Sequence, residues 1–150
     1  MVRAIYAAIL WPDTVYFGEL FDPARGMLRT AAGSSAILET MARPTFLAAD
    51  VLTEQMEGAD YLGPIRPLPP FEAHVFRRPG TDDAVIALWH NDSVEERTLS
   101  RREIANGPPL TMIDWAGHRS QLPASIPVQR VPMFINGLSA NMALTRMSVR

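Results

Sequence analysis

The sequence contains no cysteine and no lysine. The lack of cysteine excludes disulfide bonds and thiolate metal sites, and it leaves the redox compartment open. All fourteen basic residues are therefore arginines, and they are scattered rather than grouped into a phosphate- or carboxylate-binding motif. The formal net charge is −2, so there is no basic field that would attract nucleic acid. Disulfide-rich, thiolate-metal and nucleic-acid-binding proteins are excluded on these grounds.

Long apolar runs are also missing. A transmembrane helix needs about 20 consecutive apolar residues, and no stretch approaches that length. The segment "AIYAAILW" after Arg3 resembles the core of a signal peptide, but no clear cleavage site follows it, and "PDTVYFGELF" continues it as a strand. We therefore predict an ordinary buried helix here and no membrane span, and the localisation stays unknown.

What the sequence does contain is enough apolar material for a core. Of its 150 residues 47% are hydrophobic and 20% are charged, which is ordinary for a globular domain and argues against disorder. The chain changes character across "DYLGPIRPLPPFEAHVFRRPG", from Asp60 to Gly80. The pattern before this stretch is mainly helical, and the pattern after it is one of short strands and turns.

The part of the sequence before this stretch predicts a helix, a strand and a second helix. Thr14–Phe21 is β-branched and aromatic with few charges, which is typical of a strand buried on both faces. Pro44 is well placed to begin a helix that ends at Glu57, and Gly58 is a natural stop. The apolar stripe of this helix is Leu47, Val51 and Leu52.

The second part predicts an antiparallel sandwich or barrel. Short strand-like segments recur with turns such as "RPGTDD" and "WAGH" between them; they are "FEAHVF", "AVIALWH", "VEERTLS", "LTMID", "IPVQRV" and "MFING". In the first hairpin we expect Phe71, Ala73 and Val75 to face Val85, Ala87 and Trp89.

The predicted fold is therefore mostly β: an antiparallel β-sandwich over residues 71–138, preceded by a short helix–strand–helix segment over residues 1–63. Residues 64–70 form a proline-rich connector that would keep two packed units at a fixed offset. Residues 139–150 form a C-terminal extension that resembles the start of a further strand pair.

Several motifs occur in an order that resembles one enzyme group. "TVYFGELFD" is followed by "GMLR", by Arg43-Pro44 opening a helix, and by "GADYLG" at its exit. "DWAG" and "VPMFINGL" follow in the strand-rich part. This order resembles the C-terminal part of (β/α)8-barrel glycoside hydrolases of the xylosidase- and iduronidase-like group. The resemblance implies that residues 1–63 are the end of a barrel and that the strands are the family's β-sandwich. It would allow a periplasmic or secreted location.

The chain departs from that group at the catalytic positions. A retaining enzyme needs two carboxyl groups about 5–5.5 Å apart. The family carries one in an Asn-Glu pair on the fourth barrel strand and the other on the seventh strand. This sequence has no Asn-Glu dipeptide, and the matching motifs begin after the seventh strand. We therefore predict no catalytic residue, no cofactor and no metal, and a chain that is an interior segment of a larger protein.

Three residues are candidates for substrate contact. Glu19 and Asp22 lie where the last barrel strand would open toward an active site. Trp89, Trp115 and Phe134 suggest a sugar-stacking platform, but Trp89 fits a core position, which leaves Trp115, at a turn, as the exposed ring.

The first hairpin carries three residues of types that bind metal ions. The positions of Glu72, His74 and His90 predict that all three lie on one face, and two histidines with a carboxylate are able to bind a metal ion. Such residues are commoner on a solvated face, so we predict no metal site here.

The resemblance and these departures predict a non-catalytic accessory segment that packs against a carbohydrate-active barrel. Two alternatives stay open. The chain is a stand-alone interaction subunit that buries residues 1–60 in another protein chain or in a second copy, or it is a weak carbohydrate-binding module that uses the sandwich face.

Overall fold

The computed structural model of the chain describes residues 28–30, 40–42, 44–65, 69–104 and 109–148. The predicted N-terminal helix and the predicted strand Thr14–Phe21 lie outside these ranges. The mostly β, antiparallel, sandwich-like fold class is confirmed. The strands are β1 (Leu28–Thr30), β2 (Thr40–Ala42), β3 (Asp60–Ile65), β4 (Phe71–Arg77), β5 (Asp83–His90), β6 (Glu96–Ser100), β7 (Thr111–Ile113), β8 (Arg119–Gln121), β9 (Ser125–Gln129) and β10 (Met133–Ser139). The helices are α1 (Pro44–Met56), α2 (Arg101–Ile104) and α3 (Ala140–Ser148).

The centre of the fold is a six-stranded antiparallel sheet with the order β3-β4-β5-β10-β7-β8. Two separate two-stranded pairs accompany it, β1 with β2 and β6 with β9. Strand β5 lies inside the large sheet, and all of its residues from Ala84 to His90 are buried. Because both of its faces are covered, "AVIALW" is apolar throughout instead of alternating.

Each face of the large sheet has its own cover. On the first, here called the helix face, Val51 and Leu52 of α1 pack onto six buried sheet residues, which are Phe76, Val85, Ala87, Trp89, Ile113 and Phe134. On the opposite side, the strand face, residues of the large sheet share a core with β6 and β9 through Leu99, Ile126 and Val128. Burying one large apolar side chain contributes about 1.5–3 kcal/mol relative to leaving it exposed. Apolar burial on both faces therefore stabilises the sandwich.

Helix α1 is fixed to the sheet by a polar contact as well as by apolar packing. Gln55 follows Leu52 on the packed side of α1, and it is only 1% exposed. Its Oε1 accepts a hydrogen bond from Asn136 Nδ2 of β10 at 2.8 Å and another from Arg78 Nη2 at 2.8 Å. A buried amide that loses such partners is costly, so this contact favours one position of α1 over the sheet.

The structure moves the predicted boundary between the two parts of the chain. Pro64, predicted to begin the connector, lies inside β3 and is opposite His74 of β4. β3 is the outer strand of the sheet, where a proline without an N–H group is tolerated. Helix α1 shares a core with the sheet, and the division of the whole chain into two packed units stays a prediction.

The predicted register of the first hairpin is wrong by one residue. Val85, Ala87 and Trp89 lie opposite Phe76, His74 and Glu72, and Phe71 lies opposite His90. Because β5 is apolar on both faces, its pattern gives no preference between the two registers. The turn sets the register instead, and in that turn the Arg78 N–H donates to the Asp83 carbonyl at 2.9 Å.

The C-terminal extension, predicted to start a strand pair, forms helix α3 instead. Ser139 precedes the helix, and its Oγ accepts a hydrogen bond from the Met142 N–H at 3.2 Å, which is the usual role of an N-cap serine. Ala140 and Ala143 are buried in the core of the strand face. Among the described residues, none of the helices has the length and apolar character required to cross a membrane.

Candidate functional site

The three predicted site residues fall in different parts of the chain. Glu19 and Asp22 lie outside the described residues, so their proposed contact with a substrate stays a prediction. Trp115 is described, and it is partly buried in the turn between β7 and β8. Trp89 and Phe134 are fully buried in the core of the helix face, so they cannot form a sugar-stacking surface with Trp115.

The turn that carries Trp115 is closed by Asp114. Its Oδ1 accepts hydrogen bonds from the amides of Ala116 at 2.8 Å and His118 at 2.9 Å. In the backbone, the Gly117 N–H donates to the Asp114 carbonyl at 3.1 Å, and the Asp114 N–H donates to the His118 carbonyl at 3.1 Å. These four hydrogen bonds hold the segment in one conformation. Trp115 is therefore attached to an ordered backbone.

Gly117 brings this turn against helix α1. Its φ is +89°, a backbone conformation that residues with a Cβ rarely adopt. A Cβ placed there would lie 3.3 Å from Val51 Cγ2. The sequence therefore needs glycine at this position both for the backbone angle and for the close approach of α1.

His118 is oriented by the same aspartate. Its Nδ1 donates to Asp114 Oδ2 at 2.9 Å, while the imidazole side chain is 82% exposed. An ionised carboxylate is an acceptor only, so His118 Nδ1 carries a proton in this hydrogen bond. The arrangement therefore orients an exposed imidazole ring at the surface.

The Asp114 carboxylate is stabilised in its ionised form. Partial burial acts to raise its pKa, but the hydrogen bonds from the His118 ring, from the His118 amide and from the Ala116 amide outweigh it. The pKa of Asp114 is therefore below its ordinary value. At neutral pH the carboxylate is charged and acts only as an acceptor, which agrees with its position in the turn.

Beside the turn, an exposed ion pair connects β8 to α1. The Arg119 guanidinium donates through Nη2 to Glu54 Oε1, and both side chains are more than half exposed.

A second polar cluster lies on the helix face. The Tyr61 hydroxyl of β3 donates to His74 Nδ1 of β4 at 3.0 Å, and His74 Nε2 lies 3.5 Å from Glu72 Oε2. The His74 ring is stacked on Trp89 of β5, with centroids 5.1 Å apart and planes 11° apart. This chain of contacts connects three neighbouring strands, and it holds the outer strand β3 to the sheet.

Burial determines the electrostatics of this cluster. Desolvation lowers the pKa of His74 and outweighs the opposing effects of the Glu72 hydrogen bond and charge. Desolvation also raises the pKa of Tyr61. The neutral forms of both side chains are therefore favoured. Because the contacts of these side chains link β3, β4 and β5, we assign this cluster a structural role.

His90 does not lie with Glu72 and His74, contrary to the sequence prediction. The one-residue change in register places it on the strand face. There Nδ1 accepts a hydrogen bond from the Asp92 N–H at 3.2 Å, and Nε2 donates to the Glu95 carbonyl at 3.4 Å. Both ring nitrogens are used to order the loop after β5. No group of three or more His, Asp or Glu side chains in the described part of the chain is placed to hold a metal ion.

Sequence reasoning missed three polar residues: Gln55, Tyr61 and His118. The partners of Gln55 and Tyr61 depend on strand pairing that local patterns do not reveal. His118 carried a usable signal, because "DWAGH" places a histidine four residues after a turn-forming aspartate and directly after a glycine.

Comparison of the chain with protein-family models, with curated proteins and with solved structures gives no match. The resemblance to glycoside hydrolases thus stays a prediction from the sequence motifs.

Proposed function

We propose that the chain is a non-catalytic β-sandwich accessory segment of a glycoside hydrolase-like protein, and that it packs against a carbohydrate-active barrel. The single observation that best supports this proposal is the packing of α1 on the large sheet. The resemblance of the sequence motifs implies that α1 is the final helix of a barrel. The structure seats the buried Val51, Leu52 and Gln55 of that helix on the sandwich. A barrel ending in α1 would therefore be rigidly connected to the sandwich.

Polar groups in the described part of the chain agree with such a role. Asp114 closes a turn, His90 orders a loop and His74 joins two strands. Side chains that often perform catalysis are thus engaged in internal hydrogen bonds. They support a folded, structural unit, which is the role proposed.

The first test uses the gene and the purified chain. We expect an open frame next to the gene, or continuous with it, that encodes seven β/α units. Co-expression with that barrel should raise its melting temperature, because the sandwich would cover apolar surface of the barrel. The chain alone should not hydrolyse aryl glycosides. Turnover above buffer that is lost when Glu19 or Asp22 is mutated would refute the non-catalytic role.

A partner contact through residues 1–60 remains part of the proposal, with one restriction. Within that range α1 is already packed on the sheet, and of its predicted stripe only Leu47 is exposed, at 39%. The surface available from α1 is therefore smaller than the stripe predicts. Light scattering of the whole chain across a range of concentrations measures whether it associates with itself.

A second role, that of a weak carbohydrate-binding module, is favoured by one observation. Trp115 is partly exposed on a turn whose backbone is ordered by four hydrogen bonds, and an aromatic ring on an ordered backbone suits stacking on a sugar. Titration with xylans, glucans and glycosaminoglycans should shift the tryptophan fluorescence, and Trp115→Ala should abolish the shift. The absence of any response across this panel would eliminate the second role.

A further inference from the structure

We propose that Asn136–Gly137 is a deamidation site, and that the hydrogen bond from Asn136 Nδ2 to Gln55 of α1 protects it in the folded chain. This inference is independent of the proposed functions. It concerns a covalent change for which water is the only co-reactant. Three properties carry it: the dipeptide itself, the strand pairing around Gly137 and the restraint on the Asn136 side chain.

An asparagine followed by glycine is the dipeptide in which deamidation is least hindered, because glycine has no side chain beside its backbone nitrogen. The Gly137 nitrogen bonds to Asn136 Cγ, and Nδ2 leaves as ammonia together with the proton of the Gly137 N–H. Water then opens the cyclic imide and leaves either aspartate or isoaspartate. The sequence contains a second such dipeptide, Asn106–Gly107, which lies outside the described residues.

The strand pairing is irregular at Gly137. The pairing of β10 with β5 changes register between Asn136 and Leu138, so Gly137 has no opposite residue on β5. The pairing of β10 with β7 ends at Asn136. Gly137 is also exposed, and its φ is +97°. Strand pairing therefore restrains Gly137, which carries the attacking nitrogen, less than it restrains Asn136.

The Asn136 side chain is held through the nitrogen that would leave. Nδ2 donates to the buried Gln55 Oε1 at 2.8 Å, and Gln55 is fixed in turn by Arg78. Among the described residues no donor reaches Asn136 Oδ1, so the contact with Gln55 orients the amide. Strand side chains stand roughly perpendicular to the sheet, toward α1 here, whereas backbone nitrogens lie in the sheet. Asn136 Cγ must therefore turn away from Gln55 to meet the Gly137 nitrogen, and that movement breaks the hydrogen bond.

Deamidation would in turn weaken the contact between α1 and the sheet. Aspartate and isoaspartate lack Nδ2, so Gln55 Oε1 would lose the donor on β10. Isoaspartate would also add a carbon atom to the backbone of β10. The hydrogen bond thus protects the Asn136 amide, and the intact amide maintains the hydrogen bond.

The test is peptide mapping by mass spectrometry of the full chain during incubation in mildly alkaline buffer. Trypsin releases Asn136 within residues 131–146 and Asn106 within residues 103–119, so both dipeptides are followed in one sample. Asn136 should react about tenfold or more faster in concentrated urea than in the folded chain, with Asn106 in urea as the unrestrained reference. In the folded chain, Gln55→Met should raise the rate at Asn136 about fivefold or more, because one hydrogen bond no longer opposes the movement of Cγ.

Two further variants separate the hydrogen bond from general stability. Gln55→Glu keeps an oxygen that accepts from Asn136 and Arg78, so Asn136 should react as slowly as in the unchanged chain. Val128→Ala is the matched control, because Val128 is buried on the opposite, strand face and its truncation destabilises the fold without touching Gln55. It should leave the rate at Asn136 unchanged. Circular dichroism melting verifies that each variant is folded before incubation.

Three results would overturn the inference. Equal rates at Asn136 in the folded unchanged chain and in Gln55→Met would do so, including the case in which neither reacts. An equal increase in Val128→Ala and Gln55→Met would mean that global unfolding controls the reaction. A rate in the folded unchanged chain as high as in urea would mean that the fold gives no protection, and this comparison decides even if Gln55→Met does not fold.

Discussion

The buried side chain of Gln55 allows the sharpest test of the contact between α1 and the sheet. In the variant Gln55→Met, a side chain of similar length replaces the amide, and the acceptor for Asn136 Nδ2 is lost. Among the described residues, no donor lies within hydrogen-bond distance of Asn136 Oδ1, so the Asn136 amide would then have no partner there at all. Leaving a buried polar group unsatisfied costs about 1–3 kcal/mol. That is a large share of the roughly 5–15 kcal/mol that stabilises a typical domain.

Urea unfolding followed by circular dichroism measures this loss. Gln55→Met should lower the free energy of unfolding by about 1–3 kcal/mol. The double variant Gln55→Met/Asn136→Leu should recover part of it, because an apolar group then replaces the Asn136 amide, while the partly buried Arg78 still lacks its acceptor. The matched control is Thr53→Val, which removes an exposed hydrogen bond from the same helix and should change stability by less than about 0.5 kcal/mol. Equal effects of Gln55→Met and Thr53→Val would refute the reasoning.

Two further predictions concern stability. Burial lowers the pKa of His74 below 6.5, so the unfolded chain binds more protons than the folded one in the window below that pH. Stability should therefore fall as the pH drops below about 6.5, and His74→Gln should flatten this part of the profile in urea unfolding at a series of pH values. Gly117→Ala should destabilise the chain by about 1–3 kcal/mol, because its φ is positive and a Cβ there would lie only 3.3 Å from Val51 Cγ2. Thermal melting measures this loss, and an unchanged melting temperature would contradict the described contact with α1.

The sequence allowed most of the strands and α1 to be predicted, because each of those segments carries a local signal. Pro44 and Gly58 mark the two ends of α1, and short apolar segments between turns mark β4 to β7 and β9 to β10. Strand β3 was missed because Gly63 and Pro64 are typical of a connector. They fit here because β3 is an outer strand with an irregularity between Tyr61 and Gly63.

The functional residues were harder to predict because their partners depend on register. An alternating pattern would have specified which side of β5 faces α1, but β5 is buried on both sides. A shift of one residue was enough to separate His90 from His74. Glutamine is usually exposed on a helix. Gln55 is buried because its side-chain oxygen accepts a hydrogen bond from Asn136 of β10, and that contact depends on the tertiary fold.

The two outer strands of the large sheet also bear on how the protein avoids indefinite growth into fibres. A regular outer strand offers a row of N–H and C=O groups to which another sheet can add. At one end of this sheet, β3 is interrupted by an irregularity before Gly63, and Pro64 has no N–H to offer. At the other end, β8 consists of only three residues, Arg119, Ser120 and Gln121, all of them polar and exposed. Neither edge strand is a good template, so edge-to-edge pairing of these sheets into a continuous ribbon is disfavoured even at high protein concentration.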